Sequence, residues 1–190
     1  DELIAQIKAA TDLKEREALM HQAEDMLMET GALIPIYYYN DIFLAKTDMA
    51  GYYSSPFGTK FFQHATKGDS DTLRIQLASE PDKLDPALNS TVDGATLAAN
   101  TFGGLYTYDK DGNLAPHYAA SYELSEDGLT YVFTMRDDLK WSNGDPMTAK
   151  DFEYSWKRAV KDETAADYAY MFNGIEGYPE NLNVVASEDG

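Results

Sequence analysis

The sequence predicts a mixed α/β fold, with helices and strands both drawn on one chain. Helical spacing of apolar residues runs through residues 2–30 and again from Thr148, whereas residues 33–44, 72–78 and 131–135 carry the β-branched and aromatic patterns of strands. Between these runs, glycine, proline, asparagine and aspartate punctuate the chain at Gly31, Glu80–Pro86 and Asp109–Asn113. The small polar run Lys67-Gly68-Asp69-Ser70 supplies turn chemistry but no core residue, and reads as a connector between a tyrosine-rich segment and a strand.

Length and charge bound the function. At 190 residues and 44% hydrophobic, the chain can bury a core as one large domain or two small ones. Its 33 acidic residues against 15 basic ones leave a formal charge of −18, which argues against nucleic acid, because phosphate binding rests on lysine and arginine. The same charge disfavours anionic membrane surfaces, and no apolar run approaches the roughly 20 residues of a spanning helix, so a soluble chain is expected. Cysteine is absent, which removes disulfides, thiolate metal sites and a cysteine nucleophile. The 14 tyrosines suit surfaces apolar on one side and wet on the other, either a recognition surface or the rim of a core. The opening Asp1-Glu2-Leu3 has no signal-peptide pattern and reads as a cut boundary.

In chain order, residues 2–30 read as helix broken near Thr11-Asp12, with Asp12 and Glu15 as a capping pair and Gly31 as the stop. Leu19, Met20, Ala23, Met26 and Leu27 form its apolar stripe, the methionines as core filler. Residues 32–44 read as a strand covered on both faces and entered through Pro35, and Gly51–Gly58 as an aromatic loop packing back on the lobe. Thr72–Ala78 reads as a strand, Asp93 as the cap of a short helix ending at Gly103-Gly104, and Asp109–Asn113 as a hairpin turn. Calcium is a poor fit to that turn, since Gly112 comes too early and Ala120 stands where a bidentate glutamate is needed. Tyr131–Met135 alternates as a strand, and Thr148 with Asp151 starts a helix that buries Phe152, Trp156, Ala159 and Val160. A further helical run covers 165–172, and Leu182–Ala186 reads as a strand without a return partner, an edge that needs covering.

No catalytic, cofactor or metal motif emerges. The G-x-G-x-x-G, P-loop, H-E-x-x-H and G-x-S-x-G patterns are missing, and His21, His64 and His117 have no ligand-like spacing. Acidic pairs such as Asp137-Asp138 read as solvated turns, and nothing positive supports a two-carboxylate hydrolase. A non-enzymatic chain without cofactors is expected.

From Leu73 to about Ala186 the chain resembles the amino-terminal part of the oligopeptide- and dipeptide-binding proteins of ABC importers, the extracytoplasmic solute-binding proteins of family 5. The residues that carry this are Leu84-Asp85-Pro86, Phe102-Gly103-Gly104-Leu105, Leu114-Ala115-Pro116, Ala119-Ala120-Ser121-Tyr122 and above all Trp141–Phe152 continued by Tyr154-Ser155-Trp156-Lys157-Arg158. Residues 1–67 resemble the family's carboxy-terminal segment, through the helix leading into Ile34-Pro35-Ile36-Tyr37-Tyr38-Tyr39 and then Gly51-Tyr52. The order is inverted. The resemblance therefore implies a circularly permuted, truncated and engineered fragment, with a natural rearrangement as the alternative. Residues 1–67 would be the carboxy-terminal segment, 68–70 the linker joining former termini, and 71–190 the amino-terminal segment with its companion subdomain.

The implied architecture is a lobe of the type II periplasmic-binding-protein kind, a mixed sheet flanked by helices. In such proteins two lobes close on an extended peptide held by strand-like backbone bonds. The resemblance puts peptide-facing positions at Ser90, Thr91, Val92, Tyr39 and Tyr168, with Ser90 departing from an acidic residue in a peptide-binding relative. Peptide affinity of the lobe alone is expected to be weak or absent. The implied partners are the missing second lobe, or another copy through the strand at 182–190, and in the parent an ABC permease. The parent would be extracytoplasmic, periplasmic or a cell-surface lipoprotein, the chain itself a recombinant fragment. A standalone scaffold or split-protein partner is the alternative reading.

Overall fold

The computed structural model describes residues 2–40, 42–55 and 57–187 and divides the chain into two compact units, Asp1–Phe43 and Leu44–Gly190. The first unit is a helical hairpin of α1 (Glu2–Ala9) and α2 (Leu13–Glu29). The break falls where expected: Asp12 leaves the helical region, and its carboxylate accepts from the Glu15 amide at 2.9 Å. Arg16 donates back to the Ala10 carbonyl at 3.1 Å, closing the end of α1, and Gly31 takes φ +68° beyond α2. Leu3, Ile7, Leu19 and Ala23 are half-buried along these helices, but Met20 and Met26 are each 55% exposed. They do not fill a core, because a pair of helices hides only a narrow stripe of each.

Three expected strands do not form. Residues 33–40 and 42–44 run without a ladder, Tyr38 97% and Leu44 100% exposed, and Thr72–Ala78 is likewise unpaired. A strand covered on both faces exists only where neighbouring strands take up its amides and carbonyls, and no strand among the described residues does so. Residues 182–187 also form no strand. Leu182 is buried, the Asn183 amide donates to the Glu176 carbonyl at 2.7 Å, and the Ala186 amide reaches Glu153 Oε2 at 2.8 Å, so this segment is docked rather than left as a free edge. The last residues of the expected turn, 188–190, lie outside the described residues, as do Asp41 and Pro56 of the two aromatic stretches.

The second unit is mixed helix and strand. Its described strands pair antiparallel in four ladders of two rather than in a single mixed sheet. β1 (Met49–Ala50) pairs with β4 (Thr66–Lys67), and β2 (Tyr53–Ser54) with β3 (Lys60–Phe61). β5 (Tyr106–Tyr108) turns through Asp109–Asn113 into β6 (Leu114–Pro116), and β7 (Ala119–Leu124) pairs with β8 (Tyr131–Met135). The Asp109 turn is the expected hairpin: its carboxylate accepts from the amides of Asp111 at 2.9 Å and Asn113 at 2.8 Å, with Gly112 at φ +81°.

The aromatic loop packs back, as expected. Tyr53 stacks on Phe61 with ring centres 4.9 Å apart, and its hydroxyl donates to the Tyr108 carbonyl at 3.0 Å. Asn100 on α3 (Val92–Thr101) accepts from the Phe62 amide at 2.7 Å and donates to the carbonyls of Lys60 at 2.7 Å and Thr96 at 2.8 Å. These bonds tie residues 53–62 to the elements after the Lys67–Ser70 run.

α4 (Ala149–Ala159) carries the expected capping box: Thr148 receives the Lys150 amide at 3.3 Å, and Asp151 Oδ2 receives the Thr148 amide at 2.7 Å. Ala159 and Val160 are buried and Phe152 and Trp156 half-buried, with Trp156 against Phe172 at 5.5 Å. Residues 165–172 form no second helix, only short 3-10 turns at Asp162–Thr164 and Ala169–Phe172. Ala165 between them stands at φ +51°, which stops helical continuation. Apolar burial centres on Phe61, Ala119, Leu139, Ala159, Val160 and Leu182, all in this unit.

Candidate functional site

The Asp85–Asp93 stretch is a loop whose polar groups mostly hold one another. Pro81 and Pro86 keep this stretch out of helix and leave its polar side chains to bond locally. The Asp85 carbonyl accepts from the amides of Leu88 and Asn89, each at 3.0 Å. Asn89 Oδ1 accepts from the Thr91 amide at 3.3 Å and the Thr91 hydroxyl at 3.0 Å, while Asn89 Nδ2 donates to the Thr91 carbonyl at 3.0 Å. Thr91 Oγ1 in turn accepts from the Gly94 amide at 3.3 Å, starting α3. Gly94 is needed there, because a Cβ would overlap the Asn89 carboxamide.

Thr91 rather than Asp93 is therefore the cap of α3. Asp93 sits in the first turn and its carboxylate accepts from the amides of Ala78 at 3.2 Å and Ser79 at 2.8 Å and from the Ser79 hydroxyl at 2.7 Å. These bonds, the Ser79 hydroxyl first, hold Asp93 below the usual carboxylate range and pin residues 78–79 beside the loop.

Opposite the loop, Arg158 on α4 forks onto Asp85, Nη1 to Oδ1 at 3.1 Å and Nη2 to Oδ2 at 2.5 Å. That pairing lowers the Asp85 pKa and raises that of Arg158. Next to it an open cleft of about 710 Å³ runs along α4, lined by Leu88, Lys150, Glu153, Tyr154, Lys157, Arg158, Lys161, Glu163 and Thr164. Its cations are largely engaged: Lys157 reaches Glu153 at 2.6 Å and Lys161 reaches Glu163 at 3.4 Å. A second cleft of about 710 Å³ gathers Tyr53, His64, Asp109, Lys110, His117 and Arg136 among its walls. His64 and His117, far apart in sequence, meet there. Burial, then Arg136 and His64, push the His117 pKa down.

The five positions singled out in the sequence fall unevenly. Ser90, Thr91 and Val92 are consecutive in the framed loop, Ser90 exposed and Val92 76% exposed. Thr91 spends its amide, hydroxyl and carbonyl on Asn89, which leaves Ser90 and Val92 as its exposed neighbours. Tyr168 opens the 3-10 turn Ala169–Phe172, about half exposed, its ring 5.9 Å from that of Tyr170. Tyr39 belongs to the first unit and is 77% exposed. Neither cleft is lined by any of the five.

Asp85, Asn89, Asp93 and Arg158 form the frame, and the sequence reading did not assign them to the site. Leu84-Asp85-Pro86 and Trp156-Lys157-Arg158 were both visible as motifs, but nothing in either signals an ion pair across 73 residues of chain.

Residues 113–189 match the family described as bacterial extracellular solute-binding proteins, family 5 Middle. The dipeptide-binding protein of Lactococcus lactis subsp. cremoris is 38% identical over 121 residues, 64% of this chain and 22% of the relative. The oligopeptide-binding protein OppA of Bacillus subtilis is 46% identical over 107 residues, 56% of this chain and 19% of that protein. Among solved structures, the periplasmic murein tripeptide-binding protein MppA in its unliganded open form superposes with a TM-score of 0.55 at 32% identity, over 59% of this chain and 24% of MppA. The chain thus spans about a fifth of the length of the curated relatives it matches. The resemblance to the family 5 solute-binding proteins is borne out, and with it the mixed helix-and-strand fold of type II periplasmic binding proteins. Solute-binding proteins bind and deliver, and no enzyme class is implied. No described helix is long and apolar enough to cross a membrane.

Proposed function

Taking the chain as a segment related to the family 5 extracellular solute-binding proteins, we propose that it is one lobe of a peptide-binding protein of an ABC importer, retaining half of the ligand cleft. The observation that carries this reading is the framed loop, which holds the exposed Ser90 and Val92 in a fixed backbone setting. A peptide backbone is bound by such preset amides and carbonyls with little regard to side chains. Val92 would offer its backbone, Ser90 a hydroxyl, and Tyr168 would pack on the peptide and donate from its phenol. Thr91 acts as the frame of this contact.

The names of the relatives, dipeptide-, oligopeptide- and murein tripeptide-binding proteins, support a short peptide as ligand. An extracytoplasmic parent and an ABC permease as its partner follow from the same relationship. Residues 1–67 are the carboxy-terminal piece, 68–70 an engineered joint, and 71–190 the amino-terminal piece of one lobe. The bonds from Asn100 to the backbone at Lys60 and Phe62, and from Tyr53 to Tyr108, support their belonging to one lobe, since they join residues 53–62 to the later piece.

Half a cleft binds weakly. Isothermal titration of the chain with mixed short peptides is expected to give no saturation in the micromolar range, and tight saturable binding sinks the half-site reading. A second reading, a scaffold or split-protein partner that pairs with a missing lobe or a second copy, is favoured by apolar side chains such as Ile34, Ile36, Leu129 and Val132, all more than half exposed. Sedimentation mass that stays monomeric at every concentration speaks against pairing with a second copy.

A further inference from the structure

Ser90 and Val92 are exposed, and their two flanks are fixed very differently. On the Val92 side α3 begins, and Asp93 is tied to residues 78–79. The other side has no regular element, only the stretch from Leu84 to Asn89. Among the described residues, the hydrogen-bonded tie that reaches that stretch from outside is the guanidinium of Arg158 on α4.

We propose that Arg158 is the positioning residue of the Ser90–Val92 loop. Its fork holds both oxygens of Asp85. The Ala87 amide bonds Asp85 Oδ1 at 3.0 Å, and the amides of Leu88 and Asn89 bond the Asp85 carbonyl, so orienting this one residue orients the next four. Asn89 passes the constraint on, its carboxamide clasping the amide, hydroxyl and carbonyl of Thr91. A displaced Asp85 therefore releases Thr91, and with it the direction in which the Val92 amide points. Lysine cannot replace this arginine, since an ammonium lacks the planar fork that fixes a carboxylate in orientation as well as distance. The side chains of Arg158 and Asp85 are 36% and 33% exposed, so the pair is a clamp reachable by water, and its worth lies in geometry more than in bulk stability.

What the loop meets rests on the peptide reading above; how it is held does not. The test uses the full chain and its Arg158→Met, Arg158→Lys and Asp85→Asn variants, read by amide hydrogen exchange and by amide chemical shifts during titration with trialanine. In Arg158→Met the amides of Asn89 and Thr91 exchange about tenfold faster or more, while those of β7 and β8 keep their rates. Asp85→Asn reproduces the effect, and the double variant adds nothing to either single one, because all three lose the same clamp. Trialanine shifts the Ser90 and Val92 amides of the parent chain and no longer does so in Arg158→Met. Unchanged exchange at Asn89 and Thr91 in Arg158→Met overturns the positioning role, whatever trialanine does. If trialanine leaves the parent amides still while the exchange effect is present, the peptide reading falls and the positioning stands. Should Arg158→Met fail to fold, Arg158→Lys decides by the same amides: faster exchange supports the clamp, parental exchange overturns it.

Discussion

Asn100 makes more of a difference than its plain polar character suggests. It satisfies one amide and two carbonyls, and the groups at Phe62 and Lys60 belong to residues about forty positions away. Truncation to alanine leaves partly buried backbone groups without their partner, a loss of about 1–3 kcal/mol. Urea unfolding of Asn100→Ala is expected to show that loss, and a midpoint equal to the parent's refutes the stitch. His117 gives a pH dependence of definite sign. Burial, the Arg136 guanidinium, which also donates to the His117 carbonyl at 3.2 Å, and His64 all lower its pKa, while its ring lies 4.6 Å from that of Tyr118. The folded chain thus takes up this proton less readily than the unfolded one. Its stabilising share is complete above the ordinary histidine range near about pH 6.5 and falls on acidification through that range, until the lower folded-state pKa is passed. Between about pH 7.5 and about pH 5.5 the melting temperature should therefore drop further in the parent chain than in His117→Gln. Equal drops would show that His117 takes no part.

At the scale of elements, α4 depends on its cap. Thr148→Ala removes the acceptor for the Lys150 amide and is expected to lower stability by about 0.5–2 kcal/mol, visible in thermal melts followed by helical circular dichroism. Such elements were legible in the sequence because their causes are local. Thr148 with Asp151, Asp12 with Glu15, and the Asp109–Asn113 turn each carry their partners within four residues. Strands were legible only where the partner is also local, as at the β5–β6 hairpin and at β8. Residues 33–44 and 72–78 have the composition of strands, yet a strand is a relation between two segments, and composition describes one. The same limit hid Asp85 with Arg158. It also misassigned Asp93, since a carboxylate at a helix start can cap its own helix or hold a neighbouring segment, and the spacing to Ser79 decides which only in space.

For the whole molecule, two features pull in opposite directions. Buried apolar residues are few and lie in the second unit, while Leu33–Leu44 and the β7–β8 hairpin keep large side chains in water. The charge of −18 keeps such copies apart at low salt, and screening weakens that protection. The Lys67–Ser70 turn bears on this balance least of all. It is held by the β1–β4 ladder and the Gly68 amide on the Asp48 carbonyl at 3.1 Å upstream and by the Ser70 hydroxyl on Thr72 just downstream, while Asn100 and Tyr53 make their bonds across it. Which segments touch is then a separate matter from the order in which the chain writes them. Brief proteolysis between Gly68 and Thr72 should yield two peptides that still elute together and melt as one, and their parting on a sizing column would mean that the covalent thread alone had kept them neighbours.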